Sequence, residues 1–225
     1  MAGRDTNFRI LENGWTNVGT VYVGYFGSKM DFDDTETYLN GGLLGLTETF
    51  YKQNFFTAFT ASAGVGFVRA HTDYGKEHMN ILLAGLANKT GYNIEFQGGK
   101  FIIQPLLETD YTLARPSDYK NAADVKIDNK PMQNIQLNPS VRFIGNLEGG
   151  WQPYTSIGLV YNLMNKADAK ANDITLPDMR VGSYMEYNLG LQRYWCDKYS
   201  AFSQVTLRTK GRIGLELTAG FRWAF

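Results

Sequence analysis

The chain is short of three features that would each point to a common class of protein. Its single cysteine, Cys196, cannot form an internal disulfide. Its 22 basic and 22 acidic residues balance to no net charge, which argues against a nucleic-acid partner that would call for a basic surface. No apolar run approaches the roughly 20 residues that a membrane-spanning helix needs. These absences exclude a disulfide scaffold and a helical membrane protein.

Glycine and aromatic residues are what the chain has in abundance, with 24 Gly, 14 Tyr and 14 Phe. Both suit closely packed β-strands and the aromatic girdles of membrane barrels. The mean hydropathy of −0.30 does not contradict a membrane protein. A barrel strand needs an apolar side chain only at every second residue, because its other face lines a polar interior.

The carboxy-terminal segment shows this alternation most clearly. Its odd positions are all apolar: Ile213, Leu215, Leu217, Ala219, Phe221, Trp223 and Phe225. Its even positions are polar or small. A period of two predicts a strand with one apolar and one polar face.

The same alternation recurs upstream and predicts about ten strands, separated by connections of alternating length. Tight turns are predicted at residues 51–54, 97–99, 147–150 and 196–198. Long polar loops are predicted at 27–37, 69–78, 115–131 and 165–180. A change of apolar parity predicts a bulge near Lys89–Gly91, and Pro139 should lie at a bulge or an unpaired position because it lacks an N–H.

Short turns on one side and long loops on the other are typical of outer-membrane barrels. The fold class is therefore an all-β, transmembrane, antiparallel up-and-down β-barrel of about 10–12 strands. We expect residues 15–225 to form the barrel. Residues 1–14 would be a leader, a lumenal segment or a strand remnant.

Strand parity assigns side chains to the two faces of this barrel. The face toward lipid would carry Ile157, Leu159, Leu189, Leu191, Ile213, Leu215 and Leu217. The face toward the lumen would carry Glu108, Asp110, Arg142, Glu186, Gln192, Arg208, Glu216 and Arg222. All four tryptophans, Trp15, Trp151, Trp195 and Trp223, fall at the tight-turn side and predict an interfacial aromatic girdle there.

One alternative competes with the membrane hypothesis. A soluble barrel or sandwich would show the same alternation with its apolar side chains facing a core. The segregation of aromatic residues by strand end has no explanation in that case.

A metal site at His71 and His78, near Asp73 and Glu77, is disfavoured because no closed ligand set is visible. The sequence predicts no metal, no cofactor and no catalytic residues.

The residues Thr218, Gly220, Trp223 and Phe225 match the carboxy-terminal assembly signal of outer-membrane barrels. With segments such as 18–25, 101–105, 141–143 and 187–191, the chain resembles the translocator domain of classical autotransporters over residues 18–225. This resemblance implies that the chain is not an enzyme and that it resides in the bacterial outer membrane. It also implies four partners: the lipid bilayer, the barrel-assembly machinery, periplasmic chaperones and, where present, the chain's own passenger domain.

The chain departs from the family pattern in two ways. The family usually has about twelve strands preceded by a lumenal helix, whereas about ten are counted here. Members that cut their own passenger use a paired-Asn linker with lumenal acids, and no such Asn pair precedes this barrel. We therefore expect Glu108 and Asp110 to be structural partners of Arg142, Arg208 or Arg222.

The function predicted from these observations is an outer-membrane translocator or anchor that secretes or displays an amino-terminal passenger. The alternative is a stand-alone small porin or a surface adhesin, in which the loops at 115–131 and 165–180 would act.

Overall fold

The computed structural model describes residues 2–6, 8–32, 35–72, 75–166, 169–171, 174–175, 182–196, 199–210 and 213–223. Within these ranges the chain is almost entirely extended. Two 3-10 turns, Gln97–Gly99 and Glu148–Gly150, are the helical elements of the described part. No helix in that part is long and apolar enough to cross a membrane.

The strands are β1 (Ala2–Asp5), β2 (Arg9–Ile10), β3 (Thr16–Phe32), β4 (Thr35–Lys52), β5 (Phe55–Thr72), β6 (Gly75–Tyr92), β7 (Ile94–Phe96), β8 (Phe101–Pro116), β9 (Tyr119–Lys120), β10 (Lys126–Asn129), β11 (Met132–Gly145), β12 (Trp151–Lys166), β13 (Ala169–Ala171), β14 (Ile174–Thr175), β15 (Tyr184–Cys196), β16 (Tyr199–Lys210) and β17 (Gly214–Trp223).

One antiparallel meander forms the main sheet. Its strands follow the order β1-β3-β4-β5-β6-β8-β11-β12-β15-β16-β17, with β2 paired to β3 and β7 paired to β8. Each long strand pairs with the strands before and after it, so all connections of one kind lie at the same end of the sheet. This confirms the all-β, antiparallel, up-and-down fold predicted from the sequence.

The sheet is curled, with its polar face on the concave side. One cavity of about 280 Å³ is lined by residues of six strands, from Lys89 on β6 to Gln204 on β16. Tyr154 on β12 donates a hydrogen bond of 2.9 Å to Gln204, across the intervening strand β15. Side chains so many strands apart can share a cavity only on the inside of a curved sheet.

The predicted tight turns are confirmed where the structure describes them. Gln53 turns β4 into β5 with φ 53°, and Gln97 to Gly99 turn β7 into β8 with φ between 51° and 85°. Gly149 and Gly150, with φ 74° and 75°, do the same between β11 and β12. We call this end of the sheet the tight-turn end. The fourth predicted turn includes residues 197–198, which lie outside the described residues.

Two of the predicted long loops are wrong. The segment at 27–37 continues β3 to Phe32 and begins β4 at Thr35, and the segment at 69–78 continues β5 to Thr72 and begins β6 at Gly75. Both segments are polar on both faces, which resembles a loop in sequence. The ladder hydrogen bonds do not require an apolar side chain, so the hairpins extend regardless of this composition. We call this opposite end the long-loop end.

The other two predicted loops contain short strands that form a second sheet. Residues 167–168, 172–173 and 176–180 of the loop predicted at 165–180 lie outside the described residues. The strands of this sheet run in the order β14-β13-β10-β9, so β10 from one loop pairs with β13 from the other. Lys126 and Asp128 of β10 form an ion pair of 2.7 Å.

The bulge predicted near Lys89–Gly91 is also wrong. The register of β5 with β6 runs without a shift from Phe55 opposite Tyr92 to Thr72 opposite Gly75. The parity changed because Asn88 and Thr90 occupy outward positions where apolar residues were expected. Pro139 does not lie at a bulge: it pairs with Leu107 of β8, and it is unpaired only on the side of β12, where the pairing passes from Leu137 to Ser140.

Aromatic side chains on the concave face lie across glycines of the next strand. Five such pairs are directly opposite in register: Tyr22 with Gly45, Phe26 with Gly41, Phe56 with Gly91, Tyr154 with Gly190 and Phe202 with Gly220. A Cβ at any of these glycines would overlap the ring. The glycines therefore make room for rings that lie flat along the curved wall.

We expect Gly190→Ala to lower the free energy of unfolding by about 1–3 kcal/mol, because the new methyl group would displace the Tyr154 ring. Urea unfolding of the protein in detergent micelles or vesicles, followed by tryptophan fluorescence, measures this cost. Gly214→Ala is the matched control, since a Cβ there meets nothing within 4 Å. Equal stabilities of the two variants would contradict the packing role of Gly190.

Candidate functional site

Exposure divides the main sheet into two chemically opposite faces. On the convex face, which we call the apolar face, Leu189, Leu215 and Leu217 are 67%, 74% and 75% exposed. On the concave face, which we call the polar face, Thr206 and Ser156 are 2% and 5% exposed. The buried hydrophobic residues among those described are three, Leu106, Val160 and Tyr184, and these cannot constitute the core of a soluble barrel.

The predicted apolar-face residues occupy that face by register. Val205 on β16 lies opposite both Leu189 on β15 and Leu217 on β17, which places the three in one row. Ile157, Leu191 and Ile213 are also exposed, while Leu159 is half-buried.

The polar face carries a hydrogen-bonded network around Arg208. Its Nε donates to Glu186 Oε2 at 3.1 Å and its Nη2 donates to Glu216 Oε2 at 2.6 Å. Glu186 accepts a further hydrogen bond from Asn188, which in turn contacts Gln204 and Thr206. The structure thus brings three of the predicted polar-face residues, Glu186, Arg208 and Glu216, into one cluster across three strands.

Glu108 has a different partner from the one expected. Lys89, which lies directly opposite it in register, forms the ion pair. Of the predicted arginines whose side chains are described, Arg142 and Arg208 do not pair with it. Arg142 lies opposite Gln104 instead, and its guanidinium stacks on the Tyr154 ring at 5.1 Å. The sequence missed Lys89 because the supposed bulge at residues 89–91 removed this lysine from the regular face pattern.

The remaining predicted polar-face residues are dispersed. Asp110 lies on the same face between Ala87 and Gln136. Gln192 donates to the Tyr194 hydroxyl at 2.7 Å. The backbone of Arg222 pairs with Ser200, and its side chain lies outside the described residues.

One polar cavity connects the two charged clusters. Lys89, Glu108, Arg142, Glu186 and Asn188 all line the cavity of about 280 Å³ on the concave side. Both signs of charge are present in its wall. Such a wall can hold water and polar chain segments, whereas it is a poor environment for an apolar ligand.

The apolar face also holds polar groups that the sequence analysis did not identify. Glu48 lies on it and accepts a hydrogen bond of 2.8 Å from Asn17. Asn88 donates to Thr57 Oγ1 and to the carbonyl of Ala58, and Thr57 and Thr90 are 2.9 Å apart. Each of these side chains is satisfied by a neighbour on the sheet, which lowers the cost of placing it beside lipid.

The tryptophans described with side chains lie at the tight-turn end. Trp15 packs edge-on against Phe55 at 5.9 Å, and Lys52 lies 5.7 Å from its ring. Trp151 and Trp195 both contact Arg193, at 4.5 and 5.2 Å. The backbone of Trp223 pairs with Tyr199 at the same end, and its side chain lies outside the described residues.

The predicted assembly-signal residues are described in part. Thr218 donates a hydrogen bond of 3.3 Å to Glu216, and Gly220 accommodates the ring of Phe202. Phe225 lies outside the described residues.

The histidines do not form a metal site with the residues described. His71 and His78 belong to β5 and β6, and the His71 ring lies 6.1 Å from Tyr38. No group of three or more His, Cys, Asp or Glu side chains within the described ranges could hold a metal ion. Asp73 lies outside those ranges.

We expect Arg208→Gln to lower the free energy of unfolding by about 1–3 kcal/mol, because it leaves the largely buried Glu186 carboxylate and the half-exposed Glu216 carboxylate without their shared cation. Lys29→Gln is the matched control. Lys29 also lies between two carboxylates, Asp31 and Glu36, but all three side chains are about half exposed, so its loss should cost under about 1 kcal/mol. Denaturant unfolding in micelles compares the two, and equal costs would contradict the role of burial at Arg208.

Comparison with known proteins agrees with this geometry. No curated protein matched the chain. Among solved structures, the transport unit of the autotransporter AIDA-I from Escherichia coli aligns over 99% of this chain and 80% of its own, with 16% identity and a TM-score of 0.84. The translocator domain of the autotransporter NalP from Neisseria meningitidis aligns over 99% and 86%, with 10% identity and a TM-score of 0.74.

The β domain of the Bordetella autotransporter BrkA aligns over 99% of this chain and 97% of its own, with 12% identity and a TM-score of 0.64. These likenesses show the fold. The sequence model of the Autotransporter beta-domain family matches residues 1–206, so the chain belongs to the autotransporter β-domain family.

Proposed function

We propose that this chain is the outer-membrane anchor and translocator of an amino-terminal passenger, and that it has no catalytic role of its own. The observation that supports the proposal is the chemical difference between the two faces of the main sheet. A convex face of exposed leucines suits hydrocarbon, and a concave face with paired charges suits a hydrated passage for an extended polypeptide.

In this proposal the polar-face residues Glu108, Asp110, Arg142, Glu186, Gln192, Arg208, Glu216 and Arg222 line the lumen. Four of these charges are compensated by neighbours: Glu108 pairs with Lys89, and Glu186 and Glu216 pair with Arg208. A wall with both signs of charge presents no strong field to a passing chain of either charge, which suits passengers of varied sequence.

The tryptophans would form the girdle at the tight-turn end, which would face the periplasm. Thr218, Gly220, Trp223 and Phe225 would be read by the barrel-assembly machinery after delivery by periplasmic chaperones. Support comes from the match of these residues to the terminal signal and from the position of β17 at one end of the sheet path.

We expect Leu217→Arg to reduce the stability of the inserted protein by roughly 2–4 kcal/mol, as a cation near the bilayer midplane would. Ile213→Arg is the control, because Ile213 precedes the first residue of β17 at the long-loop end and should cost about 0–1 kcal/mol. Unfolding in phospholipid vesicles provides the comparison. A Leu217→Arg protein as stable as wild type would contradict the assignment of this face to lipid.

Translocation is tested by placing an export signal and a short epitope segment ahead of Met1 in a Gram-negative host. We expect the epitope to become accessible to antibody and to added protease on intact cells. The matched control lacks residues 223–225; it should be synthesised but remain unassembled, with the epitope protected. An assembled, heat-modifiable barrel whose epitope stays protected would contradict translocation while leaving the barrel assignment intact.

A further inference from the structure

We propose that Trp151, Arg193 and Trp195 form a binding site for the headgroup phosphate of an anionic phospholipid at the tight-turn end of the apolar face. The proposal depends on the proposed function in one respect, since it requires the apolar face to lie in a bilayer. It adds a specific lipid ligand that the translocator role does not require.

The geometry is that of a cation held between two indole rings. The guanidinium of Arg193 lies 4.5 Å from the Trp151 ring centroid and 5.2 Å from that of Trp195. Trp151 is directly opposite Arg193 in the β12–β15 register, and Trp195 follows two residues later, at the register shift between Tyr194 and Cys196. From this position the terminal nitrogens of the guanidinium can offer hydrogen bonds to a phosphate in bidentate fashion.

The charge of Arg193 has no counterion on the protein among the described residues. The ion pairs formed by the described residues include none with Arg193. Arg208 on the polar face differs sharply, with two carboxylates at 3.1 and 2.6 Å. A cation on a lipid-facing surface without a protein anion calls for an anion from its surroundings.

The surroundings of Arg193 match an amphiphile rather than a soluble anion. Leu191 and Leu189 continue the same row of β15 toward the middle of the sheet, where they are 39% and 67% exposed. On the next strand, the small residues Ala201 and Ser203 lie opposite Arg193 and Leu191. An acyl chain can therefore lie along the leucines while its phosphate reaches the guanidinium.

The position along the strand agrees with the level of a phospholipid headgroup. Arg193 and the two indoles lie at the tight-turn end, beyond the apolar row. Indole rings prefer this interfacial zone. Each basic residue near an anionic bilayer surface also strengthens the attraction of the protein to that surface. The site is thus at the depth where a phosphodiester is found.

Tryptophan quenching by brominated phospholipids tests the proposal directly. The folded protein carrying Trp15→Phe and Trp223→Phe, so that its signal reports Trp151 and Trp195, is reconstituted in mixed vesicles. In one series the bromine is on phosphatidylglycerol, and in the other it is on phosphatidylcholine. We expect a preference of about fivefold for phosphatidylglycerol over phosphatidylcholine at these two rings.

Three variants, each combined with Trp15→Phe and Trp223→Phe, test whether the lipid preference arises at Arg193. Arg193→Gln should abolish the preference, and Arg193→Lys should retain part of it because the charge remains without the planar stack. Arg115→Gln is the control, since Arg115 lies on the same face at the long-loop end, and it should leave the preference unchanged. Equal losses in the Arg193→Gln and Arg115→Gln proteins would overturn the site in favour of general surface attraction.

Soluble phosphate distinguishes the source of the anion. Inorganic phosphate added to the protein in neutral detergent micelles should leave the fluorescence of Trp151 and Trp195 unchanged, and a saturating change at millimolar phosphate would overturn the lipid assignment. Heat-modifiable migration of every variant confirms folding. A protein that inserts but shows no lipid preference overturns this inference alone, whereas failure of the wild-type protein to insert overturns the proposed function.

Discussion

Backbone hydrogen bonding is the constraint on which the rest of this structure depends. In hydrocarbon, water cannot satisfy an unpaired amide or carbonyl, so a strand is stable there only when its neighbours pair with it. The main sheet meets this demand along its interior with long, nearly uninterrupted ladders, such as the unshifted register of β5 with β6. Because the ladder provides the stability, the side chains of one face can contact hydrocarbon while those of the other face contact water.

The consequence is an arrangement opposite to that of a soluble barrel. Large apolar side chains such as Leu215 and Leu217 are exposed, while Thr206 and Ser156 are buried. The polar face therefore has to satisfy its own donors and acceptors, and the cluster of Glu186, Arg208 and Glu216 does so. Some polar groups on the apolar face, such as Asn17 with Glu48, are also hydrogen-bonded to each other.

Alternation with a period of two predicted most strands because it records the chemical difference between the faces. It failed where that difference disappears. At 27–37 and 69–78 both faces are polar, so extended hairpins resembled loops. At Asn88 and Thr90 polar side chains face outward and are satisfied by Thr57 and the Ala58 carbonyl, so a regular strand resembled a bulge. Both errors arose from treating polarity as a sign of irregular backbone.

The sequence by itself determined the alternating strands, the tight turns and the assignment of Leu217, Leu189, Glu186 and Arg208 to opposite faces, because each depends on residues near one another along the chain. Only the tertiary structure decided which side chains meet. Lys89 is the partner of Glu108, and Trp151 and Trp195 enclose Arg193, because the register between neighbouring strands sets those contacts. Register depends on turn geometry and on ladder hydrogen bonds between strands, whereas alternation along one strand specifies only which face each side chain occupies.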